Sequence, residues 1–374
     1  MFAAFIPLVI VQVLCLTLPP LGALVAGQPL GQFLRLPLEA RAWDALPPDP
    51  AVTWTGLALG AALIALVLWR SRARRVAGAA QSPAPGRAAG WPRWTWVGPS
   101  LLLAALAIGH LAGGRLAGPL GLLGLILGLN AHSLRRTGSC LLTQNPRYFL
   151  ALFPAGVVLG WTLHWLNLYL QLWHYPGAPG PLPFALLATL DYAVLLPALV
   201  SLRQWLGTLP VLAHWGRRAE PLDIGNLRDT GWPLMALGSL GLMGAGVWPD
   251  WIWPLTWVSP LLLAIGLHTI GGGPRSGLWA GLDRGDWGRL LLTVLAALLL
   301  GLTAQAWNRW AGPFWVFDLP LIGGPSPLDL PLPGWLALVP LGLLGLWVAD
   351  QVAGPWHGRV KPRFPQFPVK ILVK

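Results

Sequence analysis

The chain of 374 residues is 55% hydrophobic and only 10% charged, with a formal net charge of +12. Soluble globular domains carry about 25% charged residues, so this composition excludes a soluble globular protein. About 20 apolar residues cross the hydrocarbon core of a bilayer as a helix, and such runs recur along the whole chain. The sequence therefore predicts an all-α, polytopic transmembrane helical bundle. Its basic residues are expected to contact membrane lipids rather than nucleic acid.

Hydropathy predicts about ten spans. The first is expected to be retained, because it lacks the basic segment and small-residue cleavage site of a signal peptide. The short connection "AGGRLAG" at 112–118 leaves a re-entrant hairpin open as an alternative to full crossings by spans three and four. The predicted spans are residues 2–26, 51–69, 94–112, 117–134, 148–170, 182–202, 230–248, 250–270, 289–308 and 335–353.

The basic residues give these spans an orientation. If the amino terminus is cytoplasmic, only Arg35, Arg41, Arg115 and Arg309 of the 25 Lys and Arg residues lie on the outer side. Basic residues concentrate in cytoplasmic loops, so both termini are predicted to lie inside a bacterial cytoplasmic (inner) membrane. Residues 1–374 are predicted to form one integral membrane domain. Its cytoplasmic parts include a basic, Pro-containing linker at 70–93 and a basic tail at 354–374.

Two helix ends carry similar sequences. "GWTLHWLN" (160–167) and "GLTAQAWN" (301–308) share a Gly, a Thr and an Asn at matching positions, and His164 falls on Gln305. Aromatic residues follow both motifs. In the predicted topology both spans run outward, which is typical of a parallel repeat related by an axis along the membrane normal. The predicted repeat units are residues 145–270 and, cut short, 286–353.

The two motifs, with the stretch "WAGPFWVFDLPLIGGPSPLDLPLPGW" (310–335), resemble a family of bacterial multi-pass membrane proteins. In that family an aromatic-rich helix end carries a Glu three residues before an Asn, in two copies. The resemblance extends over residues 135–353 and implies no particular activity. His164 and Gln305 stand where the family has its two acids, which puts proton chemistry by those acids in doubt for this chain.

Polar side chains gather on one face of each motif helix. His164, Asn167 and Gln171 share a face of the fifth span, and Gln305 and Asn308 share a face of the ninth. Two such faces that meet would form an outward-facing polar pocket. The alternative is interhelical hydrogen bonding that holds the bundle together. The other side chains predicted to line this pocket are Asp191, Trp173, Tyr175, Trp310, Trp315 and Asp318.

Asp191 is the strongest single candidate for function. It lies about nine residues into the sixth predicted span, where an unpaired carboxylate is costly. His164 and Tyr192 are its predicted partners. The alternative is a neutral carboxyl group bonded to a backbone carbonyl oxygen.

The segment 307–318 is unusually aromatic. It is predicted to fold back onto the bundle as a lid, with Asp318 and Arg309 paired across the loop. Aromatic walls with a few polar groups are typical of a lipid or isoprenoid pocket. Arg217 and Arg218, in a cytoplasmic loop, are candidates for binding a phosphate head group, although such loops are more often solvated surfaces.

Soluble-enzyme motifs are absent from the sequence: there is no Walker A loop, no G-x-S-x-G and no H-E-x-x-H. Neither a metal site nor a cofactor is predicted, because no His pairing has ligand spacing. The sequence leaves three functions open. The first is transport or binding of an apolar or amphipathic small molecule through the outward-facing pocket. The second is a non-catalytic scaffold that assembles with a membrane-protein partner. The third is a membrane-embedded lipid or isoprenoid enzyme in which Asp191 and His164 act as acid and base.

Overall fold

The computed structural model describes residues 5–71, 90–111, 114, 116–213, 215–216, 219–222, 227–271, 281–310 and 314–353. Most of the predicted linker, the predicted tail, and both Arg217 and Arg218 lie outside these residues. Within them the chain is mostly helical and contains only two short strands. The helices are α1 Ile6–Val25, α2 Pro50–Arg70, α3 Val97–Leu111, α4 Ala117–Thr137, α5 Leu141–Gln144, α6 Pro146–Leu170, α7 Pro181–Gly207, α8 Leu227–Gly244, α9 Pro249–Ile270, α10 Gly288–Trp310, α11 Leu332–Leu336 and α12 Leu338–Ala353.

Eight helical segments in the described part of the chain are long and apolar enough to cross a membrane. They are α1, α2, α4, α6, α7, α9, α10 and the segment Leu332–Ala353 that α11 and α12 form together. The structure thus confirms an all-helical, multi-pass membrane protein. The other two predicted spans correspond to α3 and α8, of 15 and 18 residues, which are not among the eight. The count of ten and the sidedness of the bundle stay predictions.

Four helices form the centre of the bundle. α6 packs on α7 and α12, and α10 packs on α12 and α7. α4 covers the outer side of α7, and α3 covers α4. α1, α8 and α9 form a second group that packs on α6 and α12. Their apolar faces meet in one core that includes Leu196, Leu263 and Trp347.

Local sequence sets the limits of α6. Pro146 occupies its first turn, where a missing N–H costs nothing, and the side chain of Asn145 accepts a hydrogen bond from the backbone N–H of Tyr148 (3.1 Å). The helix ends at Gln171, whose backbone is left-handed with φ at 50°. This reversal directs the chain into the short strand β1, Trp173–His174.

A second short strand, β2 (Val316–Phe317), follows α10 and pairs antiparallel with β1. The carboxyl ends of α6 and α10 therefore lie at the same end of the bundle, which we call the β-pair end. The loop 26–49 crosses this end. Its Leu38 carbonyl oxygen accepts a hydrogen bond from the N–H of Tyr175 (2.8 Å), and its Leu46 carbonyl oxygen accepts one from the N–H of Leu321 (3.2 Å).

Candidate functional site

Asn167 holds the turn that leads from α6 into β1. Its side-chain oxygen accepts hydrogen bonds from the backbone N–H groups of Leu172 (2.9 Å) and Trp173 (3.3 Å). Its side-chain N–H₂ donates to the Trp173 carbonyl oxygen (2.8 Å). The Asn167 side chain is fully buried. Because its hydrogen bonds go to the following turn, Asn167 shapes the wall of the site and is not itself free to bind.

Asn308 makes the equivalent hydrogen bonds at the end of α10. Its side-chain oxygen accepts from the N–H groups of Phe314 (2.8 Å) and Trp315 (3.2 Å), and its N–H₂ donates to the Trp315 carbonyl oxygen (2.9 Å). Trp315 therefore occupies the place in the second motif that Trp173 occupies in the first. The two motifs build the same local structure, and β1 and β2 join them.

A cavity of about 590 Å³ lies beneath the β1–β2 pair. Helices α3, α4, α6, α7, α9, α10, α11 and α12 contribute to its walls. The walls are mostly apolar and hold many aromatic rings, a composition common in small-molecule sites. Of the predicted pocket residues, Asp191, Gln305, Asn308, Trp173, Tyr175 and Trp315 line this cavity.

Asp191, on α7, is the one charged side chain among the described residues that line the cavity. Its Oδ1 lies 3.1 Å from the position that a Cβ would take on Gly118 of α4. Within the described chain its carboxylate makes no hydrogen bond or ion pair with another residue. The predicted Asp191–His164 pair is therefore not formed.

His164 lies behind the cavity wall and is 1% exposed. Its Nδ1 is 3.3 Å from the hydroxyl of Tyr192, and its Nε2 has no hydrogen-bond partner among the described residues. The rings of Trp161, Tyr175, Phe184 and Tyr192 surround it. His164 is thus a buried neighbour of the cavity, and the prediction that it faces the pocket is wrong.

Tyrosine hydroxyls connect His164 to the cavity. The Tyr192 hydroxyl lies 3.5 Å from that of Tyr175, which accepts a hydrogen bond from Trp173 Nε1 (2.8 Å). Burial raises the pKa of Tyr175 to about 12, so this hydroxyl stays protonated at neutral pH. The first motif therefore presents hydroxyl groups to the cavity. Sequence reasoning considered Tyr192 only as a partner for Asp191.

Gln305 takes the position of His164 in the second motif but faces the cavity. Its Oε1 accepts a hydrogen bond from Trp315 Nε1 (2.8 Å), and its Nε2 donates to the Leu328 carbonyl oxygen (3.3 Å). These two bonds fix the Trp315 ring and the segment that precedes α11. Gln305 is a buried polar group with partners, which is the usual condition of such groups.

Gln171 and Asp318 do not line the cavity, which corrects their predicted role. Gln171 Oε1 accepts a hydrogen bond from the N–H of Ala42 (2.6 Å), so it anchors the loop 26–49. Asp318 faces Arg41 of the same loop, with 3.8 Å between its Oδ2 and Nη1 of Arg41. The predicted Asp318–Arg309 pair is wrong, because Arg309 pairs with Asp329 (3.2 Å).

Arg41 is the centre of a second polar group that sequence reasoning missed. Its guanidinium is paired with Asp250 at the start of α9 and donates to the Asp318 carbonyl oxygen (3.0 Å). Trp43 Nε1 (3.1 Å) and the N–H of Leu46 (3.2 Å) also donate to Asp250. The sequence did contain a hint of this role, because Arg41 is one of the few basic residues that the predicted topology assigns to the outer side.

Trp310 also lies away from the cavity. It is 46% exposed and packs edge-on against the ring of Trp307, with 5.5 Å between ring centroids. Its ring covers Gly109 of α3. Trp307, which the predicted pocket omitted, lines the cavity instead.

Comparison with known proteins assigns no family to the chain. No protein-family model, no curated protein and no solved structure matches the chain.

Proposed function

We propose that the protein binds an apolar or amphipathic small molecule, of the kind that includes lipids and isoprenoids, in the cavity beneath the β1–β2 pair. The observation that carries this proposal is the cavity itself, about 590 Å³ in volume and lined by residues of both motifs. Ligand cavities in proteins commonly measure about 300–1,000 Å³. We place the protein in the bacterial cytoplasmic membrane with the β-pair end outward, in keeping with its distribution of basic residues.

The wall composition supports an amphipathic ligand. Most of the lining is aliphatic or aromatic, so an apolar chain is removed from water or from lipid without loss of hydrogen bonds. The Tyr175 and Tyr192 hydroxyl groups and the Asp191 carboxylate form a small polar area on one side. Binding is the activity that the cavity supports directly. Transport would add the release of the same ligand on the other side.

A cavity-filling substitution tests the proposal. Ala304 of α10 lines the cavity, whereas Ala306 on the same helix is exposed. We expect Ala304→Phe to remove most co-purifying ligand in native mass spectrometry after extraction in mild detergent, because the new ring occupies the ligand's volume. The matched control Ala306→Phe places the same ring toward lipid and should retain the ligand.

Three results would bear on the proposal differently. Loss of a lipid-like adduct in Ala304→Phe alone supports it. Equal retention of the adduct by Ala304→Phe, Ala306→Phe and the unchanged protein contradicts it, because the adduct then lies elsewhere on the bundle. A stoichiometric protein that co-purifies while no small molecule does would favour the scaffold function.

A further inference from the structure

The cavity lies on an internal twofold axis. Gly160 and Gly301 hold matching positions in the two motifs, and each is crossed closely by a second helix. A Cβ added to Gly160 would lie 2.2 Å from Cγ of Tyr192, and one added to Gly301 would lie 2.3 Å from Cδ1 of Leu338. The two glycines leave room for these two side chains. Tyr192 on α7 therefore corresponds to Leu338 on α12.

A second contact checks this correspondence one turn further along. Gly156 and Ala297 also hold matching positions, four residues before the two glycines of the motifs. Gly156 faces Leu196 of α7, because a Cβ added to Gly156 would lie 3.4 Å from Cβ of Leu196. Ala297 faces Gly342 of α12 in the same way, because a Cβ added to Gly342 would lie 2.3 Å from Cβ of Ala297. Leu196 thus corresponds to Gly342, with the same spacing from Tyr192 and Leu338. The two helix pairs, α6 with α7 and α10 with α12, cross in the same way.

The β1–β2 pair shows the same axis. Trp173 and Trp315 are equivalent, because Asn167 and Asn308 bond them in the same way. The next residues, His174 and Val316, are then equivalent too, and they lie directly opposite each other in the antiparallel pair. A twofold axis requires this arrangement. The structure therefore assembles the cavity from two similar helix–strand–helix units, 146–207 and 288–353.

The two units present different chemistry to the cavity. Asp191, Tyr192 and Tyr175 of the first unit correspond to Ala337, Leu338 and Phe317 of the second, and all six line the cavity. One wall therefore offers a carboxylate and two hydroxyl groups, while the equivalent wall is apolar. A ligand with different ends would bind in one orientation.

The surroundings of Asp191 indicate the head group. A carboxylate in apolar surroundings needs a partner of opposite charge or a hydrogen-bond donor. Asp191 and the Trp307 ring both lie close to Gly118. A Cβ added to Gly118 would lie 3.9 Å from Cδ1 of Trp307. Faces of Trp and Tyr rings attract organic cations. A negative head group would face Asp191 without a counter-ion.

We propose that the cavity binds an amphipathic cation, a protonated or quaternary amine that carries an apolar chain. Its ammonium group contacts Asp191 on the first unit, and its chain lies along Ala337, Leu338 and Leu341 of the second. This assignment rests on the proposed function and specifies the ligand class of the same cavity.

Photo-crosslinking with matched probes tests the assignment. Hexadecylamine and hexadecanol that carry the same diazirine in the chain are added to the full-length protein in phosphatidylglycerol nanodiscs. Labelled peptides are then mapped by mass spectrometry. Both probes can donate a hydrogen bond to Asp191, but only the amine carries an opposite charge. We therefore expect the amine to label peptides of α11 and α12 at least about tenfold more than the alcohol. Asp191→Asn, which keeps the shape of the side chain, should abolish this preference.

The internal twofold axis predicts a variant that regains the preference for the amine. Asp191→Ala should lose the preference for the amine, and Asp191→Ala combined with Ala337→Asp should restore it. In the double variant the chain should point the other way, so labelling moves from α11 and α12 to α7. A monodisperse elution profile identifies variants that are folded.

The outcomes separate the two proposals. If the alcohol labels as strongly as the amine and both signals disappear in Ala304→Phe, the cavity binds amphipaths and the cation assignment is overturned. If neither probe labels the cavity above the level of Ala304→Phe, the proposed function fails and the assignment with it. A preference for the amine that persists in Asp191→Asn also overturns the assignment.

Discussion

Two acidic groups near the β-pair end have opposite surroundings. Asp250 is paired with Arg41 and accepts further hydrogen bonds from Trp43 and the backbone of Leu46. Asp191 lies in the wall of the cavity and has no hydrogen-bond or ion-pair partner within the described chain. Both carboxylates are largely withdrawn from water, so the difference lies in the partners that the fold supplies.

This difference distinguishes a structural acid from a candidate binding acid. A buried charge whose hydrogen bonds are satisfied joins chain segments, and removing its partner leaves an unpaired charge. A buried charge without a partner is a cost to the fold, and it is available to a ligand. The comparison predicts a large loss of stability when the Arg41–Asp250 pair is broken and almost none when the charge of Asp191 is removed.

The largest expected effect is at Arg41. Arg41→Ala leaves the Asp250 carboxylate buried without its cation, and we expect it to lower the free energy of unfolding by about 3–5 kcal/mol. Thermal unfolding in detergent, followed by fluorescence, measures the change. Arg35, exposed on the same loop, is the matched control, and Arg35→Ala should leave the transition unchanged. Equal transitions for both variants would show that the Arg41–Asp250 pair does not hold the loop.

An intermediate effect is expected at the two asparagines. Asn167→Ala and Asn308→Ala each remove three hydrogen bonds to a turn, so each should cost about 2–3 kcal/mol of unfolding free energy. Each variant is the control for the other in the same unfolding assay. A loss in only one variant would contradict the structural equivalence of the two motifs.

The smallest effect on stability is expected at Asp191. Asp191→Asn breaks no hydrogen bond among the described residues and removes an unpartnered charge, so it should lower the free energy of unfolding by less than about 1 kcal/mol. Asp250→Asn, measured beside it, should be clearly destabilised because it weakens the pair with Arg41. If Asp191→Asn were as destabilised as Asp250→Asn, the contrast between the two acids would be lost.

The positions of the main helices were predictable. The fifth span was predicted at 148–170 and found at Pro146–Leu170, and the ninth was predicted at 289–308 and found at Gly288–Trp310. A bilayer requires a continuous apolar helix of sufficient length, so local composition is enough to locate one. The seventh span was predicted at 230–248 but the helix is Leu227–Gly244, because residues 245–247 form a turn and Trp248 already caps the next helix, α9.

The site was predictable only in part. Sequence similarity between the motifs identified Asn167 and Asn308, since matching residues form matching turns. It also assigned equivalent roles to His164 and Gln305, yet only Gln305 lines the cavity. The pairing of Arg309 with Asp318 failed because nearness in sequence is a poor guide to pairing in a loop that folds back.

The sequence by itself determined that this is a helical membrane protein and where most of its helices run. The reason is that the bilayer requires each spanning helix, taken separately, to be apolar over a sufficient length. Tertiary structure alone decided which polar groups are partnered. Arg41 and Asp250 are 209 positions apart, and nothing local to either residue indicates the other. The same folding leaves Asp191 without a described partner in an aromatic cavity, because a side chain's partners depend on which helices pack beside it.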